Sequence, residues 1–304
     1  MKKFFKRLIL PLNIILIAGI CIYCIMFAIK KANDYQIYTK PEIETKIYTV
    51  WHCETFEGGG KSRLTYLKNI AREIEKENAG VLIMIKTIDP AILENELKET
   101  TPDVISFGFG VGSVILPKLS PIEKTYDVRD ELVISGSFNN KVYALPYIVS
   151  GYAMIKHSAE YSAFHCGENE YIKPSNIYNK LNLQPVEKES QYEAYKDFVY
   201  DKKVALLGSG RDVFRVNNLN NIGRTTAMIS PIDSYTDLIQ YLGLLKNDEI
   251  TNKFLNYCLD DEHQNKLTEY SLFSSKYQKL YHTDIYCEME DAIYKCSIPK
   301  VFYA

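Results

Sequence analysis

The chain has 304 residues, of which 46% are hydrophobic and 24% charged, room for one large or two medium domains with an ordinary core. Six of the 36 basic side chains (Lys2, Lys3, Lys6, Arg7, Lys30, Lys31) and none of the 38 acids fall in residues 1–31, so residues 32–304 carry a formal charge of −8. A body that acidic is poorly suited to phosphate backbones or to anionic lipid, and no nucleic acid is expected as a partner.

Residues 8–29 contain no charge, with only Pro11 and Asn13 as mild interruptions. About 20 apolar residues suffice to span a bilayer core as helix. A secretory signal peptide has a shorter apolar region, of ~7–15 residues, and Ala28-Ile29-Lys30 does not fit its cleavage pattern. A lipoprotein needs a small residue before the lipidated Cys, whereas Ile20 precedes Cys21 and Tyr23 precedes Cys24. Residues 1–31 are therefore expected to be an uncleaved, single-pass signal anchor, with a cleaved signal as the alternative. The excess of basic residues before the span places the N-terminus inside and the rest of the chain outside the cell membrane. Cys53, Cys166, Cys258, Cys287 and Cys296 remain in the exported part. Five is an odd number at spacings that match no metal pattern, so their disulfide status stays open. His52-Cys53-Glu54 lie on an extended segment and point to alternating faces, which speaks against a zinc site. No cofactor or metal is expected.

Residues 32–42, polar and containing Pro41, read as a spacer. Residues 46–53 are rich in β-branched and aromatic side chains and read as a strand. It runs into the loop Glu54-Thr55-Phe56-Glu57-Gly58-Gly59-Gly60, after which Ser62 is a candidate N-cap. Leu64, Leu67, Ile70, Ala71 and Ile74 recur at helical spacing until Asn78-Ala79-Gly80 stops the helix. Residues 81–88 (VLIMIKTI) form a nearly continuous apolar run, as expected of a buried parallel strand. Asp89-Pro90 starts a helix with Ile92, Leu93 and Leu97 on its face. Residues 104–107 form a third strand, leading into the loop 108–112 with its three glycines. The pattern is a parallel sheet of βαβ units, an α/β fold, whose ligands bind at the carboxyl ends of the strands.

Residues 141–155 form an apolar extended run interrupted by Pro146 and Gly151, which suggests a strand that bends as it passes between two bodies. Residues 157–190 are weakly periodic. Tyr192, Tyr195 and Val199 share a helical face. Residues 204–207 form a strand that ends in Gly208-Ser209-Gly210 and is followed by Arg211-Asp212-Val213-Phe214-Arg215. Residues 217–223 read as a loop. From Tyr235 a strand or helix start leads to a helix carrying Phe254, Leu255, Cys258 and Leu259.

Gly60-Lys61-Ser62, between strand and helix, matches the end of a phosphate-binding loop. Thr55 stands where that motif has its first Gly, and Glu57 brings a carboxylate to where phosphates would sit. Glu54 and Glu57 have no fixed separation that would define a hydrolytic pair, and no Gly-x-Ser-x-Gly elbow is present. Binding, not catalysis, is the expectation.

The blocks VWHCETFEGGGKSRLTYLKNIAREIEKENAGVLIMIKT, TPDVISFGFGVG, KVYALPYIVSGYAMI, VALLGSGRDVFR and YTDLIQYLGL, spread in this order over residues 50–244, resemble an extracellular solute-binding protein of an ABC importer. The resemblance is to the family 1, sugar-binding type with a periplasmic-binding-protein-like II fold. It implies two α/β lobes joined by hinge strands, with a small solute, a carbohydrate before others, bound in the cleft between them. It further implies permease subunits in the membrane as partners and a monomeric binding protein. By position, residues 43–148 and 236–273 match the first lobe, and residues 149–235 and 274–304 the second. The second lobe is shortened, because the stretch between Ile155 and Val204 is shorter than in the family. The resemblance places Trp51, Glu54, Phe56 and Glu57 in the first cleft loop, and Phe107, Gly108 and Gly110 in the second. Tyr147 and Tyr152 flank the first hinge crossing, and Arg211 and Asp212 face the cleft from the second lobe. Aromatic faces for sugar rings beside charged groups for hydroxyls make sense for a polyol. A surface sensor or accessory protein on the same fold, without a transport role, is the alternative.

Overall fold

The structure, a computed structural model, describes residues 16–31, 44–167, 171–179, 184–282 and 284–302. The chain divides into two units, 1–45 and 46–304. In the first unit residues 16–31 are helical. The expected span begins at residue 8, and its part up to residue 15 lies outside the described residues, as does the whole of the spacer. Among the described residues no helix is long and apolar enough to cross a membrane.

The second unit carries strands β1 (Lys46–Cys53), β2 (Val81–Ile88), β3 (Val104–Phe107), β4 (Ser137–Phe138), β5 (Lys141–Val142), β6 (Ala144–Val149), β7 (Tyr152–Lys156), β8 (Ala163–Gly167), β9 (Pro185–Lys188), β10 (Val204–Ser209), β11 (Met228–Pro231) and β12 (Ile239–Leu244). They form a first sheet in the order β2-β1-β3-β12-β6, a second in the order β11-β7-β10-β8-β9, and the β4-β5 hairpin. β1 is parallel to β2 and β3, as the βαβ pattern requires, while β12 joins antiparallel between β3 and β6.

The helix Arg63–Glu77 buries Arg63, Tyr66, Leu67, Ile70, Ala71 and Ile74, the stripe that the spacing predicts. It ends where the Asn78 side chain turns back to donate to the Ile74 carbonyl at 2.6 Å. Asp89 caps the following turn by accepting from the Ala91 amide, with Pro90 in the first position. The strand β2, expected to be buried, lies at the edge of the sheet, and Leu82 and Met84 are 42% and 54% exposed. One strand neighbour and one covering helix leave the other face of β2 open. The Glu75 carboxylate takes the Ile83 amide at 2.7 Å and so covers part of the unpaired edge.

The extended run 141–155 does bend. β6 ends in the first sheet and β7 begins in the second, with residues 150–151 between them. The return crossing, residues 232–238, lies beside it: the Ser150 amide donates to the Leu238 carbonyl at 2.7 Å, and Thr236 Oγ1 donates to the Ser150 carbonyl at 2.7 Å. A third segment joins them where the Thr236 amide donates to the Ser297 carbonyl at 3.1 Å. Of the tail expected with the second lobe, the helix Asp284–Ile293 packs against β11 of the second sheet, whereas residues 301–302 turn back to the first sheet. The Val301 amide donates to the Ser135 carbonyl, and the Phe302 ring lies 6.2 Å from Phe107. Two further expectations are corrected. The helix Gly210–Asn221 runs through residues expected to be loop. In the helix Gln191–Tyr200, Ala194 and Phe198 form the buried face, while Tyr192 is 51% exposed.

Candidate functional site

The loop after β1 is fixed from below by a buried polar network. Arg63, 2% exposed, donates from Nε to Glu54 Oε1 at 3.2 Å, from Nη1 to Gln240 Oε1 at 3.2 Å, and from Nη2 to the Phe56 carbonyl. The Phe56 ring covers the guanidinium at 4.1 Å. His52 Nε2 lies 2.9 Å from Glu54 Oε1, and its Nδ1 lies 2.9 Å from Ser106 Oγ. Ser106 Oγ also meets Tyr147 Oη at 2.9 Å and accepts from Gln240 Nε2 at 2.9 Å. A neutral His52 with its proton on Nε2 satisfies all of these atoms: it donates to Glu54 and accepts from the Ser106 hydroxyl. Burial, reinforced by the Arg63 charge, pushes the His52 pKa down despite Glu54 beside it. Burial works to raise the Glu54 pKa, yet the His52 hydrogen bond and the Arg63 charge outweigh it and hold that carboxyl at about 2.

From above, the loop is taken by the second-sheet side. Arg211 Nη1 donates to the carbonyls of Gly59 and Gly60 at 3.0 and 2.9 Å, and Arg215 Nη2 pairs with Glu57 Oε2 at 2.9 Å. Asp212 lies behind them, fully buried. It accepts from the Ser209 amide at 3.0 Å and from Gln191 Nε2 at 2.7 Å, and pairs with Arg215 at 3.1 Å. Its burial raises the carboxyl pKa against those donors. Phe56 itself packs with the apolar cluster of the second sheet, beside Tyr152, Phe164 and Leu238.

Two cavities flank this loop. One, of about 280 Å³, is lined by Phe56 and Glu57 from the loop and by Tyr152, Ile172, Glu189, Gln191, Tyr192 and Ser209, among others, from the second-sheet side. The other, of about 260 Å³, is lined by Glu54, Glu57, Gly58, Gly60, Lys61, Ser62, Arg63, Arg211 and Arg215.

The structure thus brings Glu54, Phe56, Glu57, Tyr152 and Arg211 to the cavities and Asp212 directly behind them. It does not bring Trp51, Phe107 or Tyr147 there. Trp51 is 4% exposed in β1, with Lys86 Nζ 5.4 Å above its ring. Phe107 stacks on Tyr241 at 5.8 Å, and the Tyr147 hydroxyl is taken by Ser106. All three belong to strands whose two faces are both covered, so these rings fill core. Gly108 and Gly110 are sites of close approach: a Cβ at Gly108 would lie 2.0 Å from Thr55 Oγ1, and one at Gly110 2.6 Å from Tyr171 Cα. Sequence reasoning missed Arg63, Gln240, Tyr192 and Arg215. Arg63 carries a visible signal, since it falls in phase with Leu67, Ile70 and Ile74 on the apolar stripe. Gln240 is the lone amide in the apolar run LIQYLGL. Among the described residues no group of His, Cys, Asp or Glu is placed to hold a metal ion.

The architecture around the loop, two mixed sheets whose crossings lie side by side, is the α/β fold of periplasmic-binding-protein-like proteins, and solved structures share it. The receptor GacH of Streptomyces glaucescens, solved unliganded and with acarbose, superimposes with a TM-score of 0.61 at 12% identity, over 84% of this chain and 87% of that one. A two-component system protein described as mediating signal transduction gives 0.57 at 15% identity, over 81% and 93%. Thiaminase I from Bacillus thiaminolyticus gives 0.59 at 11%, over 84% and 93%. Other structural neighbours include maltodextrin-binding proteins and an ABC substrate-binding protein in complex with cycloalternan, also at low identity. No protein-family model matches the sequence, and no curated protein matches it as a relative.

Proposed function

We propose that the chain is a solute-binding protein that takes a small solute, a carbohydrate before others, in the cavity of about 280 Å³ between its two sheets. The carrying observation is the lining of that cavity. Phe56, Tyr152 and Tyr192 offer ring faces, and Glu57, Glu189, Gln191 and Ser209 offer polar atoms to hydroxyls. Ligand sites commonly span ~300–1,000 Å³, so this volume suits roughly one or two sugar rings and not a long oligosaccharide. The work is binding, with closure of two lobes about the crossings at residues 150–151 and 232–238, and no bond is made or broken. The chain acts outside the cell, as a monomer held by its N-terminal helix, and hands its solute to ABC permease subunits.

Titration of the full-length chain with mono- and disaccharides tests this reading. A solute at about 100 times its Kd adds ~2.7 kcal/mol of stability, a rise in Tm of ~5–10 °C for a chain of this size. Tyr192→Ala should remove most of that rise. If no carbohydrate moves the Tm, the carbohydrate assignment falls. A second reading is favoured by the Glu57–Arg215 pair and the Arg211 bonds to Gly59 and Gly60, which join the two sides through the protein's own groups. An anchored sensor or accessory protein needs no more than that.

A further inference from the structure

Gly58-Gly59-Gly60-Lys61-Ser62 suggests phosphate by its sequence, and the reading above leaves it without a task. These residues border the cavity of about 260 Å³, on the other side of the loop from the ring-lined one. Four cationic side chains, Lys61, Arg63, Arg211 and Arg215, meet two carboxylates there, Glu54 and Glu57. Glu54 is engaged by Arg63 and Glu57 by Arg215. Among the described residues Lys61 and Arg211 have no carboxylate partner, and Arg211 uses only Nη1, on two loop carbonyls. Arg215 is shared between Glu57 and Asp212, which lies directly behind it, so the groups around the cavity keep an excess of one positive charge. It also receives the start of the 15-residue helix Arg63–Glu77, where Ser62 makes no side-chain cap and no acid stands in the first turn. The positive end of that helix adds to Lys61, whose Nζ lies 5.5 Å over the Tyr270 ring, and to Arg211, with only the Thr65 amide of the first turn taken up, by the Ser62 carbonyl at 3.1 Å.

We propose that this cavity is an oxyanion site, taking the phosphate, sulfate or carboxylate group of a small solute. Arg211 presents its remaining N–H edge as a fork, Lys61 supplies a second charge, and the amides of Arg63 and Leu64 at the helix start complete the donor set. An anion seated there ties the first-sheet loop to the second-sheet helix Gly210–Asn221, because Lys61 belongs to one and Arg211 to the other. The site does not depend on the carbohydrate reading, since among the described residues Glu57 is the only side chain that lines both cavities.

The test is titration of the full-length chain with inorganic phosphate, sulfate and acetate against chloride at matched ionic strength, followed by calorimetry and by Tm. Phosphate or sulfate should bind saturably and raise the Tm beyond chloride, and acetate shows whether a carboxylate suffices. Arg211→Gln should weaken binding about ten-fold or more, the loss of roughly one charge-assisted hydrogen bond. Arg211→Lys should fall between, and Lys68→Gln, exposed on the same helix, should match the parent. Should Arg211→Gln fail to fold, Lys61→Gln carries the comparison from an exposed side chain. Oxyanion behaviour indistinguishable from chloride, or parental affinity in the Lys61 and Arg211 variants, overturns the proposal. A sugar that binds while every oxyanion fails would sink this site and leave the solute-binding reading standing; oxyanions that bind while sugars fail would do the reverse.

Discussion

Replacing Arg63 by Met probes the network that holds the loop from below. Met fills roughly the volume of the arginine stem and removes every donor. Each hydrogen bond to a charged group contributes ~1.5–3 kcal/mol, and a buried acceptor left without its donor costs ~1–3 kcal/mol. Arg63 serves Glu54, Gln240 and the Phe56 carbonyl, so the gross loss is several kcal/mol. Two effects offset it: Glu54, 41% exposed, recovers hydration, and the Met side chain keeps its apolar contact with Phe56. The net expectation is a loss of ~3 kcal/mol. At ~2–4 °C per kcal/mol for a chain of this size, Tm should drop by ~6–12 °C in thermal denaturation followed by circular dichroism. Arg63→Lys keeps the charge without the fork and should fall between. A Met variant melting within ~2 °C of the parent would mean that the guanidinium contributes nothing net, and the account of the loop would have to be abandoned.

The low pKa of Glu54 makes a second prediction. Its carboxyl is held at about 2 in the fold against ~4.3 unfolded, so the folded chain takes up its proton less readily. The resulting stabilisation is fully present above about pH 5 and is lost as pH falls towards 2; with the side chain this exposed, screening trims it to ~1 kcal/mol. Urea unfolding at pH 7 and pH 3 should show the parent losing ~1 kcal/mol more than Glu54→Gln, and equal losses would contradict the assignment. Gly59 and Gly223 both have positive φ, +65° and +69°, but a Cβ at Gly59 would lie 2.3 Å from the Tyr270 carbonyl oxygen while Gly223 opens to free space. Gly59→Ala should therefore cost ~2–4 kcal/mol and Gly223→Ala only ~1 kcal/mol, and the reverse order in Tm would refute the packing described for the loop.

Local signals in the chain proved dependable where one neighbour decides the outcome. The stripe Leu67, Ile70, Ile74 and the pair Asp89-Pro90 specify their helices through contacts a turn away, and Gly151 sits where the extended run changes sheets. Burial of whole strands was less legible. VLIMIKTI reads as central, yet edge or centre is set by the order in which distant strands add, and β12 enters beside β3 from more than a hundred residues downstream. The same limit applies to site residues. Trp51 and Phe107 resemble ligand platforms because they end strands beside glycine loops, but which face of a strand is covered depends on partners that the local sequence does not contain. Glu57 and Arg211 were found by position along the chain. Arg215 and Tyr192 become visible only once two helices from the second-sheet side converge on one loop.

The three crossing segments carry a mechanical consequence. Residue 150 is hydrogen-bonded to the segment 236–238, which is bonded in turn to Ser297, so the crossings form one narrow ribbon and not three independent tethers. A ribbon of paired backbone resists stretching and sideways slip because both would break several bonds at once, but it twists readily. On the solute-binding reading proposed above, closure would be a rotation about this ribbon, and the Glu57–Arg215 pair would act as a latch on it.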